Sequence, residues 1–151
     1  MTESDEHLGR YINQLSRDIR TAANLSLCRQ GIDITGEQCR LMGYITHRIL
    51  AGEEVFQRDI EREFGIRRSS ATSILSRIEK DGYITRVSDN SDGRLKKILL
   101  TEKGMQLHCI LEENILAVEQ TISKGMTEKE REEFMRLIKT AIDNLSGLIG
   151  R

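Results

Sequence analysis

The stretch from Phe56 to Gly104 decides the fold: FQRDIEREFGIRRSSATSILSRIEKDGYITRVSDNSDGRLKKILLTEKG. Two short helical patterns in it lie on either side of a turn at Gly65–Arg67. A second glycine, Gly82, leads into strand-like sequence, a polar loop and an apolar run. The order helix, turn, helix, hairpin predicts a winged helix-turn-helix unit.

The second helix of this unit is predicted from about Arg68 to Lys80. Its inward-facing set has the spacing i, i+3, i+4 and i+7 of an amphipathic helix and consists of Ala71, Ile74, Leu75 and Ile78. Two strands are predicted after it, Tyr83–Ser88 and Leu95–Leu100. The six residues between them are dense in turn formers, so the strands should form a hairpin, the only strand pair that the sequence predicts.

Further helices are predicted on both sides of the unit. An apolar stripe runs from about Asp5 to Arg29, with Gly31 suited to end that helix. Thr35 and Gln38 form a capping-box pattern that opens the next helix, and a short helix spans about Gln57–Phe64. Beyond the hairpin, Thr101 is placed to cap a long helix. Thr127 and Glu130 form a second capping-box pattern, which opens the last helix.

The composition favours a mainly α protein. Of the 151 residues, 38% are hydrophobic and only 4% aromatic, with no Trp, which suits a core of Leu, Ile and Met on helices. The length corresponds to a single domain, 1–151. The chain lacks Pro, so helix ends must be predicted from glycines and caps.

Charge is distributed unevenly along the chain. The formal net charge is −1, but residues 66–98 carry eight basic and four acidic side chains, which gives this segment +4 and leaves −5 for the rest. A basic patch on an acidic body is typical of a protein with one face for phosphates. Charges scattered over a solvated surface are the simpler alternative.

The outer face of the predicted Arg68–Lys80 helix is rich in short hydroxyl side chains. Four Ser and one Thr occur in the eight residues 69–76, although these residues are poorer helix formers than Glu or Lys. Short hydroxyls permit close approach to a groove and bond to bases or phosphates. The positive helix end attracts anions as well.

The predicted DNA contacts of the helical part are therefore Gln57, Arg67, Arg68, Ser69, Ser70, Thr72, Ser73 and Arg77. For Ser69, a role as N-cap competes evenly with DNA contact. Arg77 has the alternative of a solvated residue or an ion pair with Asp81.

The hairpin loop is predicted to supply the second set of contacts. Arg94 at the tip is suited to a narrow minor groove, and Lys96 and Lys97 follow it. Asp92 is expected to hold Arg94 or Arg86 in place, with a plain turn residue as the alternative. Arg86 and Asp92 thus support the wing.

The hairpin also carries a family resemblance. Gly82-Tyr83-Ile84-Thr85-Arg86, Asp92-Gly93-Arg94 and Ile98-Leu99-Leu100-Thr101-Glu102-Lys103-Gly104 resemble the wing signature of the MarR family of bacterial regulators. The order of helices is similar over nearly the whole chain. Gly93 departs from the pattern, since the family usually has another residue there, often Arg. This leaves Arg94 as the main wing contact.

The resemblance implies a mainly α fold with a small β-hairpin wing. Residues 35–101 would form the winged helix-turn-helix region, while 5–34 and 102–151 would be dimerisation helices. It further implies a homodimer on a palindromic operator in double-stranded DNA, commonly a repressor that is released by a small aromatic or anionic effector.

Other chemistry has little support in the sequence. Cys28, Cys39 and Cys109 form no disulfide pattern. A role as small core residues is favoured over redox sensing by Cys28 or Cys39. Arg40 and the nearby helix start are nevertheless suited to lower the pKa of Cys39. The three histidines have no metal-ligand spacing. The sequence predicts no cofactor, no metal, no enzymatic activity, no membrane span and a cytoplasmic protein.

Three hypotheses for function remain. A DNA-binding transcriptional regulator is favoured by the basic, hydroxyl-rich helix and by Arg94. The alternatives are a winged-helix module that binds another protein, and a regulator that senses oxidants through a thiol.

Overall fold

The computed structural model describes residues 7–150. In order along the chain, its elements are α1 (Leu8–Arg29), α2 (Gly36–Leu50), β1 (Val55–Phe56), α3 (Gln57–Phe64), α4 (Arg68–Lys80), β2 (Ile84–Ser88), β3 (Lys96–Leu100), α5 (Glu102–Ile122) and α6 (Glu128–Ile149). The fold is mainly α with a small wing, which confirms the predicted class. The predicted helix start at Asp5 and the final residue 151 lie outside the described residues.

Hydrogen bonds at the helix ends confirm the predicted caps. Thr35 accepts from the Gln38 backbone at 3.2 Å, while the Gln38 side chain accepts from the Thr35 backbone at 2.8 Å. Thr127 and Glu130 form the same reciprocal pair at the start of α6. The turn between α3 and α4 begins at Gly65, whose φ of 59° lies in the left-handed region that favours glycine.

The wing is a three-stranded sheet, so the prediction of a single strand pair is wrong. The strand order is β1-β3-β2, with Val55 opposite Ile98 and Ile84 opposite Leu100. β1 was missed because its two residues are too few for a period-2 pattern to be visible. It joins the start of α3 to the wing.

The hydrophobic core lies beneath the helix-turn-helix and one face of the sheet. Its buried cluster consists of Leu41, Met42, Ile45, Val55, Ile60, Leu75, Ile78, Ile84, Ile98 and Leu107. In α4, Ala71, Leu75 and Ile78 are buried and Ile74 packs against the cluster, as predicted. The core therefore fixes which face of α4 is left outside.

The chain divides into two compact units. The first extends to Ile115, and the second begins at Leu116 within α5 and contains α6. The first unit holds the buried cluster, the sheet and all the predicted DNA contacts.

Candidate nucleic-acid interface

The first turn of α4 presents a run of cationic and hydroxyl groups. Arg67 is the extended residue before the helix, and no side chain caps the helix there. The N-cap role considered for Ser69 is therefore wrong, because the helix begins one residue before it. Arg67, Arg68, Ser69 and Ser70 are all exposed, and the first turn contains no acidic residue.

The outer face of α4 continues with two further exposed side chains, Ser73 and Arg77. The alternative of an Arg77–Asp81 ion pair is wrong, since Arg77 has no carboxylate within 4.0 Å among residues 7–150. Its guanidinium is therefore not neutralised by any described residue.

Arg86 fastens β2 to α4 by pairing with Glu79. Its Nε and Nη2 donate to Glu79 Oε2 at 3.0 and 2.8 Å, and its backbone N–H donates to Oε1 at 2.7 Å. The expectation that Asp92 holds Arg86 is thus wrong, because Glu79 takes that role. The Arg86 side chain is 15% exposed and the Glu79 side chain 34%, so the pair is partly shielded from solvent.

The pKa of Glu79 reflects this pairing. Burial raises the pKa of the Glu79 carboxyl. The hydrogen bonds from the Arg86 side chain and backbone, together with the Arg86 charge, lower that pKa by more, so the net shift is downwards. The ionised pair is therefore the stable form near neutral pH.

Gln57 extends the Arg86 contacts to the recognition helix. Arg86 Nη1 donates to Gln57 Oε1 at 3.5 Å, and Gln57 Nε2 donates to Thr72 Oγ1 at 2.8 Å and to Glu61 Oε1 at 3.1 Å. Arg86 Nη2 also donates to Ser76 Oγ at 2.8 Å. Gln57 and Thr72, both predicted DNA contacts, belong to one hydrogen-bonded network with the wing.

The wing loop occupies residues 89–95. Asp92 Oδ1 accepts from the Arg94 backbone N–H at 3.0 Å, so Asp92 shapes the turn that carries Arg94. Within residues 7–150, the Arg94 guanidinium forms no ion pair. Gly93 has no positive φ, and a Cβ built on it meets nothing within 4 Å. The loop conformation therefore does not require glycine there.

Lys96 and Lys97 point to opposite faces of the sheet. Lys96 lies on the same face as buried Ile98 and donates to Ser88 Oγ at 2.8 Å. Lys97 pairs with Glu54 on the other face. Both lysines follow Arg94 along the chain, but only Lys96 lies on the face of the sheet that is turned towards α4.

A cleft of about 640 Å³ separates the wing from α3 and α4. Its lining includes five cationic side chains and two carboxylates, namely Arg58, Arg68, Arg86, Arg94, Lys96, Glu61 and Glu79. The cationic excess and the open position of Arg94 suit the cleft to a polyanion.

The end of α4 is joined tightly to the start of α5. Thr101 Oγ1 donates to the carbonyls of Gly82 and Tyr83, at 2.6 and 2.9 Å, and accepts from the Gly104 N–H at 3.0 Å. Lys103 Nζ donates to the Asp81 carbonyl at 2.6 Å and lies 4.8 Å from the centre of the Tyr83 ring. We call this junction, Asp81–Tyr83 with Thr101–Gly104, the joint.

Gly104 is required for the joint to close. A Cβ at this position would overlap the Tyr83 carbonyl oxygen and come within 2.7 Å of Leu100 Cδ1. The close approach of the two backbones therefore admits only glycine.

The predictions for the three thiols are partly wrong. Burial raises the pKa of the Cys39 thiol, so the predicted lowering by Arg40 and the helix start is wrong. Cys28 and Cys109 are exposed, so the favoured interpretation of these two as small core residues is wrong. No three His, Cys, Asp or Glu side chains of residues 7–150 are arranged to hold a metal ion. In the same range, no helix combines the length and the apolar character needed to cross a membrane.

Sequence inspection missed Glu79, Glu61 and Arg58 as parts of the site. One signal was available for Glu79: strand alternation places Arg86 on the same face as buried Ile84, so this cation needs a nearby carboxylate. Glu79, next to buried Ile78 on α4, is the acid within reach.

Comparison with known proteins agrees with this geometry. The MarR family model matches residues 32–95. The chain is 22% identical over 137 residues to the HTH-type transcriptional regulator YybA of Bacillus subtilis (strain 168), covering 90% of this chain and 87% of that protein. These matches include the helix-turn-helix and most of the wing.

Solved structures share the fold. A chain from Clostridium acetobutylicum, described as a MarR family transcriptional regulator, is 28% identical with a TM-score of 0.68 and covers 90% of this chain and 96% of its own. A mutant of S. aureus MepR bound to an oligodeoxyribonucleotide is 23% identical with a TM-score of 0.67, covering 93% and 99%. The family match, the relative and the shared fold agree: residues 32–95 match the MarR family, and over most of its length the chain is similar to HTH-type and MarR family transcriptional regulators.

Proposed function

We propose that this regulator is a homodimeric repressor that binds a palindromic operator and is released by a small aromatic or anionic effector. In each protomer, α4 enters the major groove and Arg94 of the wing reaches the adjacent minor groove. Two such units would lie about 34–36 Å apart, one turn of DNA. The protein would act beside the chromosome, in the cytoplasm.

One observation carries the DNA-binding part of the proposal: cations that form no ion pair within residues 7–150 lie on α4, just before it and on the wing loop. Arg67 is exposed just before α4, Arg68 and Arg77 are exposed on the helix, and Arg94 is exposed on the loop. Lys97, by contrast, is neutralised by Glu54 on the opposite face of the sheet. Lys96, which lines the cleft, is therefore among the proposed DNA contacts, and Lys97 is not.

Two further features support dimerisation and release. α1 and α6 each expose apolar side chains, which a second copy of the chain would cover: Leu8, Tyr11, Ile12 and Leu25 on α1, and Met135, Leu137, Ile142, Leu145, Leu148 and Ile149 on α6. The joint connects α5 to the end of α4, so a ligand that tilts α5 would move the recognition helix. Exclusion of polymerase from an occupied promoter would make the protein a repressor.

The wing variants Arg94→Ala and Gly93→Arg test the proposal by gel shift against duplex DNA from upstream of the protein's own coding region. Affinity should fall steeply with salt, because each phosphate contact releases counterions. Arg94→Ala should weaken binding and lower the slope of log Kd against log salt concentration by about 1. Gly93→Arg should raise the same slope by about 1. The open space around Gly93 permits the added side chain.

Lys129→Ala is the matched control, since it removes an exposed cation from the start of α6. Its slope should equal that of the wild type. Binding that is insensitive to salt, with Arg94→Ala and Gly93→Arg indistinguishable from the wild type, would instead favour a winged helix that binds a protein.

A further inference from the structure

Arg58 is an exposed cation at the start of α3, and it is absent from the DNA contacts predicted from the sequence. Among the described residues, its guanidinium forms neither an ion pair nor a hydrogen bond. The residue before it, Gln57, is held by hydrogen bonds to Glu61, Thr72 and Arg86. Of these two neighbours, Arg58 is therefore the one with a charge left for a partner outside the chain.

An aromatic ring holds the Arg58 side chain in the cleft. The guanidinium carbon lies 5.3 Å from the centre of the Phe56 ring, within the range of a cation–π contact. Phe56 and Arg58 both line the cleft between the wing and the helices. A contact of this kind orients the guanidinium but does not neutralise it. The positive charge of Arg58 is consequently held where an anion that enters the cleft would meet it.

The two walls of the cleft carry an excess of positive charge. Five cationic side chains line it against two carboxylates, which leaves an excess of three. Arg58 and Arg68 lie on the helix wall, and Arg94 and Lys96 lie on the wing wall. The phosphodiester backbone of DNA carries one negative charge per nucleotide of each strand, so it is a partner of matching charge.

The position of Arg58 on α3 favours a phosphate over a base. In a helix-turn-helix the second helix enters the major groove, while the first helix crosses the sugar–phosphate backbone. In this chain α3 is the first helix of the pair and α4 is the second. A cation on α3 is consequently close to phosphates, which position a protein on DNA without reading the base sequence.

We propose that Arg58 binds a DNA phosphate at the mouth of the cleft, so that one strand of the backbone passes between α3 and the wing. Arg58 on one wall and Lys96 on the other contact the same phosphate or neighbouring phosphates of that strand. This inference rests on the proposed DNA-binding function and adds to it a contact that fixes the position of α4 along the groove. Phe56 is the positioning residue for Arg58.

Arg58→Ala tests the contact itself. Duplexes that bind the wild type are selected from a random library, and their affinities are measured over a range of salt concentrations. Arg58→Ala should bind every selected duplex about 5- to 10-fold more weakly near 0.1 M salt, and should lower the slope of log Kd against log salt concentration by about 1. Selection with Arg58→Ala should return the same consensus sequence, because a phosphate contact carries no base preference. A changed consensus would assign Arg58 to a base and overturn the inference.

Duplexes with single neutral phosphates locate the contact. Each phosphate of one selected site is replaced in turn by methylphosphonate, which removes one negative charge. The replacement that weakens the wild type but leaves Arg58→Ala unaffected identifies the phosphate that Arg58 binds. The same comparison with Lys96→Ala should identify this phosphate or its neighbour on the same strand. Phosphates on opposite strands, or the absence of any replacement that Arg58→Ala tolerates, would contradict a backbone between α3 and the wing.

Arg62→Ala is the matched control, because it removes the same side chain from the same helix. Arg62 is 78% exposed, pairs with Asp59 at 2.9 Å and does not line the cleft. The affinity and the salt slope of Arg62→Ala should equal those of the wild type. Equal losses for Arg62→Ala and Arg58→Ala would show that the charge of α3, and not a position in the cleft, is responsible.

Phe56→Leu tests the positioning role of the ring. The substitution keeps an apolar side chain and every charge, so it should weaken binding about 2- to 5-fold with an unchanged salt slope. In the Arg58→Ala background it should cause no further loss. A loss of the same size in both backgrounds would show that Phe56 does not act through Arg58.

The remaining outcomes separate this inference from the proposed function. A salt-sensitive selected site that Arg58→Ala binds as tightly as the wild type overturns the inference and leaves the proposed function standing. Failure of the wild type to select any duplex overturns both. If circular dichroism shows that Phe56→Leu is unfolded, Arg58→Ala and the modified duplexes decide alone.

Discussion

At the scale of single residues, Glu79 is the carboxylate that decides how the wing is held. It accepts three hydrogen bonds from Arg86, one of them from the backbone, and so ties β2 to the recognition helix. Arg86 in turn contacts Ser76 and Gln57. A single acid therefore holds the strand against the recognition helix.

Glu79→Gln should lose less stability than the wild type when the pH is lowered. The pKa of Glu79 is lower in the folded than in the unfolded chain, so its contribution is complete above the unfolded value of about 4.3 and is lost as pH falls through the folded value. Urea unfolding should show Glu79→Gln to be about 1 kcal/mol less stable at pH 7, after allowance for partial exposure. The difference should close towards pH 3.

Glu63→Gln is the comparison for this experiment, since Glu63 is exposed on α3 and lies outside the ion pairs of residues 7–150. Its unfolding curve should follow the wild type at every pH. A Glu79→Gln deficit that persists unchanged at pH 3 would contradict the assignment to the ionised carboxylate.

At the scale of elements, the joint ties the end of α4 to the start of α5. Three side-chain hydrogen bonds join the end of one helix to the start of the other, and the two backbones approach too closely for a side chain at position 104. The recognition helix and the long helix that leaves the winged unit are consequently mechanically coupled.

Gly104→Ala should open the joint. The added methyl group overlaps the Tyr83 carbonyl, so we expect the free energy of unfolding to fall by about 1–3 kcal/mol, the usual effect of overpacking. Gly43→Ala is the matched control, because it makes the same change inside α2 with nothing within 4 Å of the new atom. It should be neutral or stabilising by up to about 1 kcal/mol. Equal stability of Gly104→Ala and wild type in urea would show that the joint tolerates a side chain.

The sequence predicted those elements whose signals are local. Helix periodicity and the caps at Thr35, Thr101 and Thr127 depend on residues three or four positions apart, and the structure confirms them. β1 escaped because two residues show no alternation. The Arg86–Glu79 pair and the opposite orientations of Lys96 and Lys97 depend on packing between elements, which spacing along the chain does not reveal.

At the scale of the whole molecule, the exposed apolar side chains of α6 are the clearest sign that one copy of the chain is incomplete. Leu145 is 59% exposed and Leu148 81% exposed, although both lie on the apolar stripe of the helix. A soluble monomer rarely leaves such a stripe uncovered. The proposed homodimer would bury it.

Leu145→Glu should therefore separate the protomers. Light scattering after size exclusion should give twice the 17.3 kDa chain mass for the wild type and the mass of one chain for the variant. At 100° per residue, Asp143 lies on the opposite side of α6, so Asp143→Arg should remain dimeric. A wild-type protein with the mass of one chain at micromolar concentration would contradict the homodimer.

Glu79 has one more consequence, for the behaviour of the sheet among many copies of the protein. β2 is an edge strand, and its backbone groups on the free side are a template for another strand. The Glu79 carboxylate occupies the Arg86 N–H in the middle of that edge. A strand from a neighbouring molecule would have to displace this ionised side chain before it could pair. The Arg86–Glu79 pair that positions the wing therefore also protects the sheet from edge-to-edge aggregation.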